Sequence, residues 1–171
     1  MLKLKPMDYA LIAELVKNPR LSDRQLSKIL NMSQPTITRK RTLIERQGLL
    51  DYNAIPNLRK LGYQILAFIF GSWKHKEFPD TRADEMEKYI AQIPNILFIS
   101  TGSGLNYDRM AIAVFKDYSE YSKTIREFKL AWARYFADFS SFIVSLQTDN
   151  VLRNFTFKPL AEAMKREHSN E

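Results

Sequence analysis

Apolar positions recur at helical spacing through the first fifty residues and gather into strand-like runs after residue 61. Leu11, Ile12, Leu15 and Val16 predict an amphipathic helix over 8–17, with Asp8 at its positive end and Asn18-Pro19 as its stop. Ser22-Asp23-Arg24-Gln25 has the spacing of a capping box and opens a second helix that buries Leu26, Ile29 and Leu30. Asn31, short and polar, suits the left-handed conformation of a tight turn. Ser33 caps a third helix, which tolerates Pro35 in its first turn, runs to Gln47 and ends at Gly48. The stretch 49–55 reads as a strand and Pro56-Asn57 as a turn.

The later part follows a different rhythm. Residues 62–73, with Tyr63, Ile65, the Ala67-Phe68-Ile69-Phe70 run and Trp73, form a central strand. A helix over 79–93 carries Met86, Tyr89, Ile90 and Ile93 at helical spacing, with acids in its first turns. Strands over 95–101 and 110–115 flank a turn at 102–106. A long helix over 118–137 aligns Tyr121, Ile125, Phe128, Trp132 and Phe136, and a fourth strand occupies 139–146. The order βαββαβ is that of a ferredoxin-like antiparallel sheet covered on one side by two helices. Phe68 and Phe70 point opposite to Ile69, so one apolar set lies away from the helices, and self-association is the economical way to cover it. Residues 151–157 read as a further edge strand and 159–167 as a short helix before a polar tail. The fold class is therefore α+β: a winged helix-turn-helix over 1–61, a ferredoxin-like domain over 62–150 and a C-terminal extension over 151–171.

Charge separates the same two parts. Residues 1–60 hold 12 of the 26 Lys and Arg but 5 of the 19 Asp and Glu, so the formal excess of +7 lies entirely in the first third. A compact cationic segment beside an electroneutral one points to a polyanion-binding module joined to a module with another task. The chain has no cysteine, which removes disulfides, thiolate catalysis and cysteine-based zinc sites. Its most apolar run, 65–70, is far too short to span a bilayer, and the first sixteen residues do not read as a signal peptide, so a cytoplasmic location at the nucleoid is expected. His75 and His168 fall in a loop and a polar tail. No phosphate-cradling glycine motif, nucleophile elbow or metal-spaced cluster is present. No catalytic residue, metal or cofactor is expected.

Two short helices joined by a tight turn form the arrangement whose second helix enters the major groove of duplex DNA. The opening of the third helix suits that task. Gln34, Thr36 and Thr38 offer hydrogen bonds to base edges, beside the capping Ser33, and Arg39 can reach guanine or phosphate. Lys40, Arg46, Arg59 and Lys60 are the expected phosphate contacts, the last two just beyond the wing. Projection at 100° per residue puts Arg39, Thr42 and Arg46 outward, opposite Ile37 and Ile44. Arg41 lands on the core side, where it snorkels or meets an acid such as Glu14.

The residues Asp8, Leu11, Leu15, Arg20, Ser22 through Leu26, Met32-Ser33, Arg39, Ile44-Glu45 and Gly48, followed by Leu50-Asp51-Tyr52-Asn53-Ala54 and Leu61-Gly62, resemble the Lrp/AsnC (leucine-responsive, or feast–famine) family of transcription regulators. The resemblance implies a sequence-specific DNA-binding regulator acting as a homodimer or a higher even oligomer, with the sheet mediating dimerisation. It also implies a small effector, commonly an amino acid, bound between dimers near a turn reading Gly, acid, aromatic, Asp. Gly102, Gly104, Asn106, Tyr107 and Asp108 are the matching region; Tyr107-Asp108 fit the last two positions, while the turn is one residue longer and lacks the acid. Alternatives are a winged-helix scaffold, or an architectural chromatin protein without an effector. The βαββαβ order also occurs in RNA-recognition modules, but the strand Arg109-Met110-Ala111-Ile112-Ala113-Val114 lacks the aromatic and basic pattern that stacks bases.

Overall fold

The computed structural model describes residues 4–74, 83–149 and 151–168, which fall into two compact units, Met1–Ile55 with Asn154–Glu171 and Pro56–Arg153. Lys3, His75 and the expected start of a helix at 79–82 lie outside the described residues.

The first unit is helical. In α1 (Pro6–Lys17) proline takes a first-turn position, and Asp8 Oδ2 accepts the Lys5 amide at 2.9 Å. The box at the start of α2 (Asp23–Leu30) closes in both directions: the Gln25 amide donates to Ser22 Oγ at 3.3 Å, and the Ser22 amide donates to Gln25 Oε1 at 2.9 Å. Asn31 is left-handed at φ 51°. Ser33 Oγ caps α3 (Gln34–Arg46) by accepting the Thr36 amide at 3.4 Å. At the other end the chain reverses at Gly48, φ +65°. Its amide donates to the Glu45 carbonyl and the Leu49 amide to the Ile44 carbonyl, so two otherwise orphaned carbonyls are satisfied. Leu11, Ile12, Leu15, Leu26, Ile37 and Ile44 form the core. Each such side chain contributes roughly 1.5–3 kcal/mol on burial. Ile29 differs from expectation in being half exposed, while Leu30 packs on the core as expected.

Two expected strands are not formed. Residues 49–55 are unpaired, because 58–62 make turns and provide no returning strand to hydrogen-bond with. Residues 151–157 likewise join no sheet. They lead to α6 (Lys158–His168), which packs along α1 and is therefore part of the helical unit. Ala161 is fully buried and Met164 packs on the six-residue core. Glu14, an acid in the buried middle of α1, pairs with Lys165, while Lys17 lies 2.6 Å from Glu162.

The second unit is the βαββαβ sheet: β1 (Ile65–Trp73), α4 (Ala83–Ala91), β2 (Ile96–Gly104), β3 (Tyr107–Phe115), α5 (Tyr118–Trp132) and β4 (Phe136–Ser145). The strands run in the order β2-β3-β1-β4, and every neighbouring pair is antiparallel. Ile65, Ala67, Ala113, Phe115 and Tyr121 form one core cluster, and Trp73, Met86 and Trp132 a second. Gly71 permits the close approach of Phe136: a Cβ there would sit 2.5 Å from the ring. The helix expected to reach residue 137 stops at Trp132, and a bulge explains the misreading. The register shift between Ser72 and Trp73 pairs Trp73 with Phe136 and Gly71 with Phe139, so aromatics three apart share one face of a strand.

The opposite face follows from the same register. Phe98 lies beside Ile112, Ile112 beside Phe68, and Phe68 beside Phe142, an apolar row across all four strands. Phe98 is 51% exposed and Phe142 65%.

Truncation after Arg153 is expected to destabilise the helical unit by about 2–4 kcal/mol, since it uncovers the core and leaves Glu14 without Lys165. Scanning calorimetry should show its transition moving down while that of the sheet unit stays. Glu14→Gln in the shortened chain should recover part of the loss.

Candidate nucleic-acid interface

The face of α3 opposite Ile37 and Ile44 carries the exposed residues Arg39, Thr42 and Arg46, and Gln34 and Thr38 are exposed on its flank. Among the described residues no acid lies within ion-pair distance of Arg39 or Arg46. The polar opening is tied together locally: the Ser33 and Thr36 hydroxyls lie 2.7 Å apart, and Thr42 Oγ1 donates to the Thr38 carbonyl at 2.9 Å. Thr38 Oγ1 donates to Asp23 Oδ2 at 2.6 Å, across to the start of α2.

The other two cations of α3 are committed within the chain. Lys40 Nζ pairs with Asp8, which joins α3 to the first turn of α1. Arg41 does not meet Glu14, the acid expected from sequence. Its Nε donates to Glu45 Oε1 at 2.9 Å and its Nη1 to the Leu21 carbonyl at 3.0 Å and Asp23 Oδ1 at 3.2 Å. The guanidinium also lies 5.5 Å from the ring centre of Tyr52, whose hydroxyl donates to Glu45 at 2.7 Å. Residues 49–55 are thus fastened back to α3 by side chains. Arg59 and Lys60 are exposed and belong to the sheet unit, where Arg59 Nη1 lies 3.1 Å from Asp149.

These contacts shift several protonation equilibria. Burial alone would raise Asp8, but the bonds from Lys40 and the Lys5 amide hold it below its ordinary 3.8. The bond from Tyr52, then that from Arg41, hold Glu45 below 4.5. Burial and the Glu45 carboxylate push the Tyr52 phenol up to about 12.

The expected effector region is a tight hairpin. Leu105 (φ 51°) and Asn106 (φ 63°) occupy its two central positions, and Gly104 pairs with Tyr107. Gly102, Gly104 and Asn106 are exposed. Tyr107 and Asp108 turn back onto the sheet: the Tyr107 hydroxyl donates to Asp138 Oδ2 at 3.0 Å, and Asp108 Oδ2 accepts the Trp73 amide at 3.4 Å. The residue that sequence reasoning passed over is Asp23. It reads as an ordinary first-turn acid, and its partners lie 15 and 18 residues away.

The chain is similar to several known proteins. Residues 4–40 match the winged helix-turn-helix DNA-binding family. The chain is 29% identical to the HTH-type transcriptional regulator LrpC of Bacillus subtilis over 98 residues, 57% of this chain and 65% of that one. The crystal structure of PH0061, an HTH-type transcriptional regulator of Pyrococcus horikoshii, superposes with TM-score 0.71 at 25% identity, covering 91% of this chain and 99% of that one. A Neisseria meningitidis transcriptional regulator solved with L-Met superposes with TM-score 0.74 at 22% identity, over 92% and 99%. The amino-terminal helices match a helix-turn-helix DNA-binding family, and the relatives that the chain resembles are HTH-type transcriptional regulators. The chain also shares its fold with the solved structures of Bacillus subtilis LrpC and Escherichia coli AsnC. Among the described residues no helix is long and apolar enough to cross a membrane, and no group of three or more His, Asp or Glu could hold a metal.

The two depressed carboxyls make an acid-limb prediction. Both bind protons less readily folded than unfolded, so their contribution is complete above the unfolded values of 3.8 and 4.5 and is lost as pH falls through the lower folded ones. Circular dichroism between about pH 5 and pH 2 should show a shallower loss of stability for Asp8→Asn/Glu45→Gln than for the parent chain.

Proposed function

We propose that this regulator reads duplex DNA with the first turns of α3: Gln34, Thr36, Thr38 and Arg39 face base edges, and Arg46 contacts phosphate, with Ser33 fixing the helix start. The observation that carries the reading is Arg39. It stands exposed near the opening of a helix whose neighbouring cations Lys40 and Arg41 are both tied to acids, so its guanidinium is available to reach guanine. Lys40 is a weaker candidate for phosphate because Asp8 already neutralises it. Arg59 and Lys60 keep enough exposure to serve as additional phosphate contacts.

The assembly follows from the open sheet face. An apolar row of this size in the protomer is best covered by the same row of a second copy, giving a dimer or a higher even oligomer. Paired recognition helices then suit half-sites about one helical turn, or a multiple, apart. A small effector, amino-acid-like or another metabolite, is assigned to the region of Gly102, Gly104, Asn106, Tyr107 and Asp108. The L-Met complex of the Neisseria meningitidis regulator supports that class. The engagement of Tyr107 and Asp108 within the sheet leaves the exposed hairpin backbone as the available surface. The site of action is the cytoplasmic nucleoid.

Duplex affinity should fall steeply between about 50 and 200 mM salt, as for any protein that releases counterions from several phosphates. Arg39→Ala should cost roughly 1–3 kcal/mol and relax one base position, measured by titration against variant duplexes; an unchanged footprint and affinity would remove Arg39 from the reading set. Phe142→Glu is expected to shift the chain toward monomers in light scattering without unfolding it, since Phe142 is 65% exposed in the protomer. A monomeric parent chain would refute the assembly.

A further inference from the structure

The polar side chains at the opening of α3 differ in what they can offer a base. Arg39 only donates. The amide of Gln34 both donates and accepts, and the Ser33 and Thr36 hydroxyls share a bond whose direction is open. Thr38 is different. A hydroxyl has one proton and two lone pairs. Thr38 Oγ1 lies 2.6 Å from the Asp23 carboxylate and 3.1 Å from the Gln34 carbonyl, and neither oxygen has a proton to give back. The shorter, charge-assisted contact takes the proton. Arg41 Nη1, 3.2 Å from Asp23 and 3.0 Å from the Leu21 carbonyl, holds the carboxylate in that place.

We propose that Asp23, reaching from the start of α2, fixes Thr38 as a hydrogen-bond acceptor, so that Thr38 selects a base presenting an exocyclic amine in the major groove. That base is adenine, through N6, or cytosine, through N4. Guanine and thymine offer acceptors there and meet a lone pair instead. Asp23 is a positioning residue that touches no DNA; it sets the polarity of the residue that does. Beside it, Arg39 presents donors and favours guanine, so adjacent residues of one helix read complementary patterns. The inference rests on the proposal that this face of α3 enters the groove.

Selection of bound duplexes from a randomised pool by the full chain tests it, because the readout is base preference at one position and not overall affinity. The parent chain is expected to favour adenine or cytosine at one position of each half-site by about five- to tenfold. Thr38→Val keeps the shape and a methyl but loses the hydroxyl, and should flatten that position alone. Thr38→Ser keeps the hydroxyl and should retain the preference. Asp23→Ala leaves the proton only the longer bond to the Gln34 carbonyl, and should weaken the preference and admit more guanine or thymine there, whatever it does to affinity for all sequences together. A preference that survives Thr38→Val, or that vanishes in Thr38→Ser, would assign the selectivity to the methyl group and overturn the proposal. So would a preference unmoved by Asp23→Ala. An enriched motif untouched by these substitutions would leave the DNA-reading assignment of α3 standing, whereas a pool without enrichment for the parent chain would defeat both.

Discussion

The Arg41 guanidinium is the point on which the geometry of the helical unit turns. From one position on α3 it reaches the carbonyl that precedes α2, the first acid of α2, an acid one turn further along its own helix, and the ring of Tyr52 in the segment that follows. A rigid planar fork with five donors can satisfy partners in several directions at once, which an ammonium on a flexible stem cannot do as well. The angle between the two helices that define a helix-turn-helix is therefore held by charge and hydrogen bonding as well as by Leu26, Ile37 and Ile44. A basic residue at a core-facing position looks anomalous in sequence, and its anomaly is the signature of this role.

Local chemistry was legible in the sequence wherever one short segment contains both partners. The capping box at Ser22 and Gln25, the left-handed Asn31, the Ser33 cap and the reversal at Gly48 all involve groups within five residues of each other, and all form. The βαββαβ order was legible for the same reason, since strand and helix periods are local. What could not be read was pairing at a distance. Arg41 reaches back 18 residues to Asp23, not 27 to Glu14, and no spacing rule distinguishes the two. Residues 49–55 have strand composition but no partner strand, and composition cannot supply one. At the bulge beside Phe136 the side-chain period itself is altered, so a strand imitates a helix. The polar, cationic opening of α3 was visible in sequence; which of its cations are already neutralised was not.

The sheet unit shows how one register serves two surfaces. Alternation sends Ile65, Ala67 and Phe115 toward the helices and Phe68, Ile112 and Phe142 the other way. Because the period is two, the inward core cannot be kept while the outward row is moved. The packing that folds the protomer and the apolar surface that it presents are fixed together.

α6 gives the chain an unusual order of assembly. The core that supports the recognition helix draws Met164 from beyond the whole of Pro56–Arg153. During synthesis the three amino-terminal helices emerge first, yet they must wait for every strand of the sheet to be made before their last packing partner leaves the ribosome. A nascent chain, or one broken off within the sheet, holds a helical unit without Met164 on its core. Completion of that unit thus reports that the intervening domain has been translated in full.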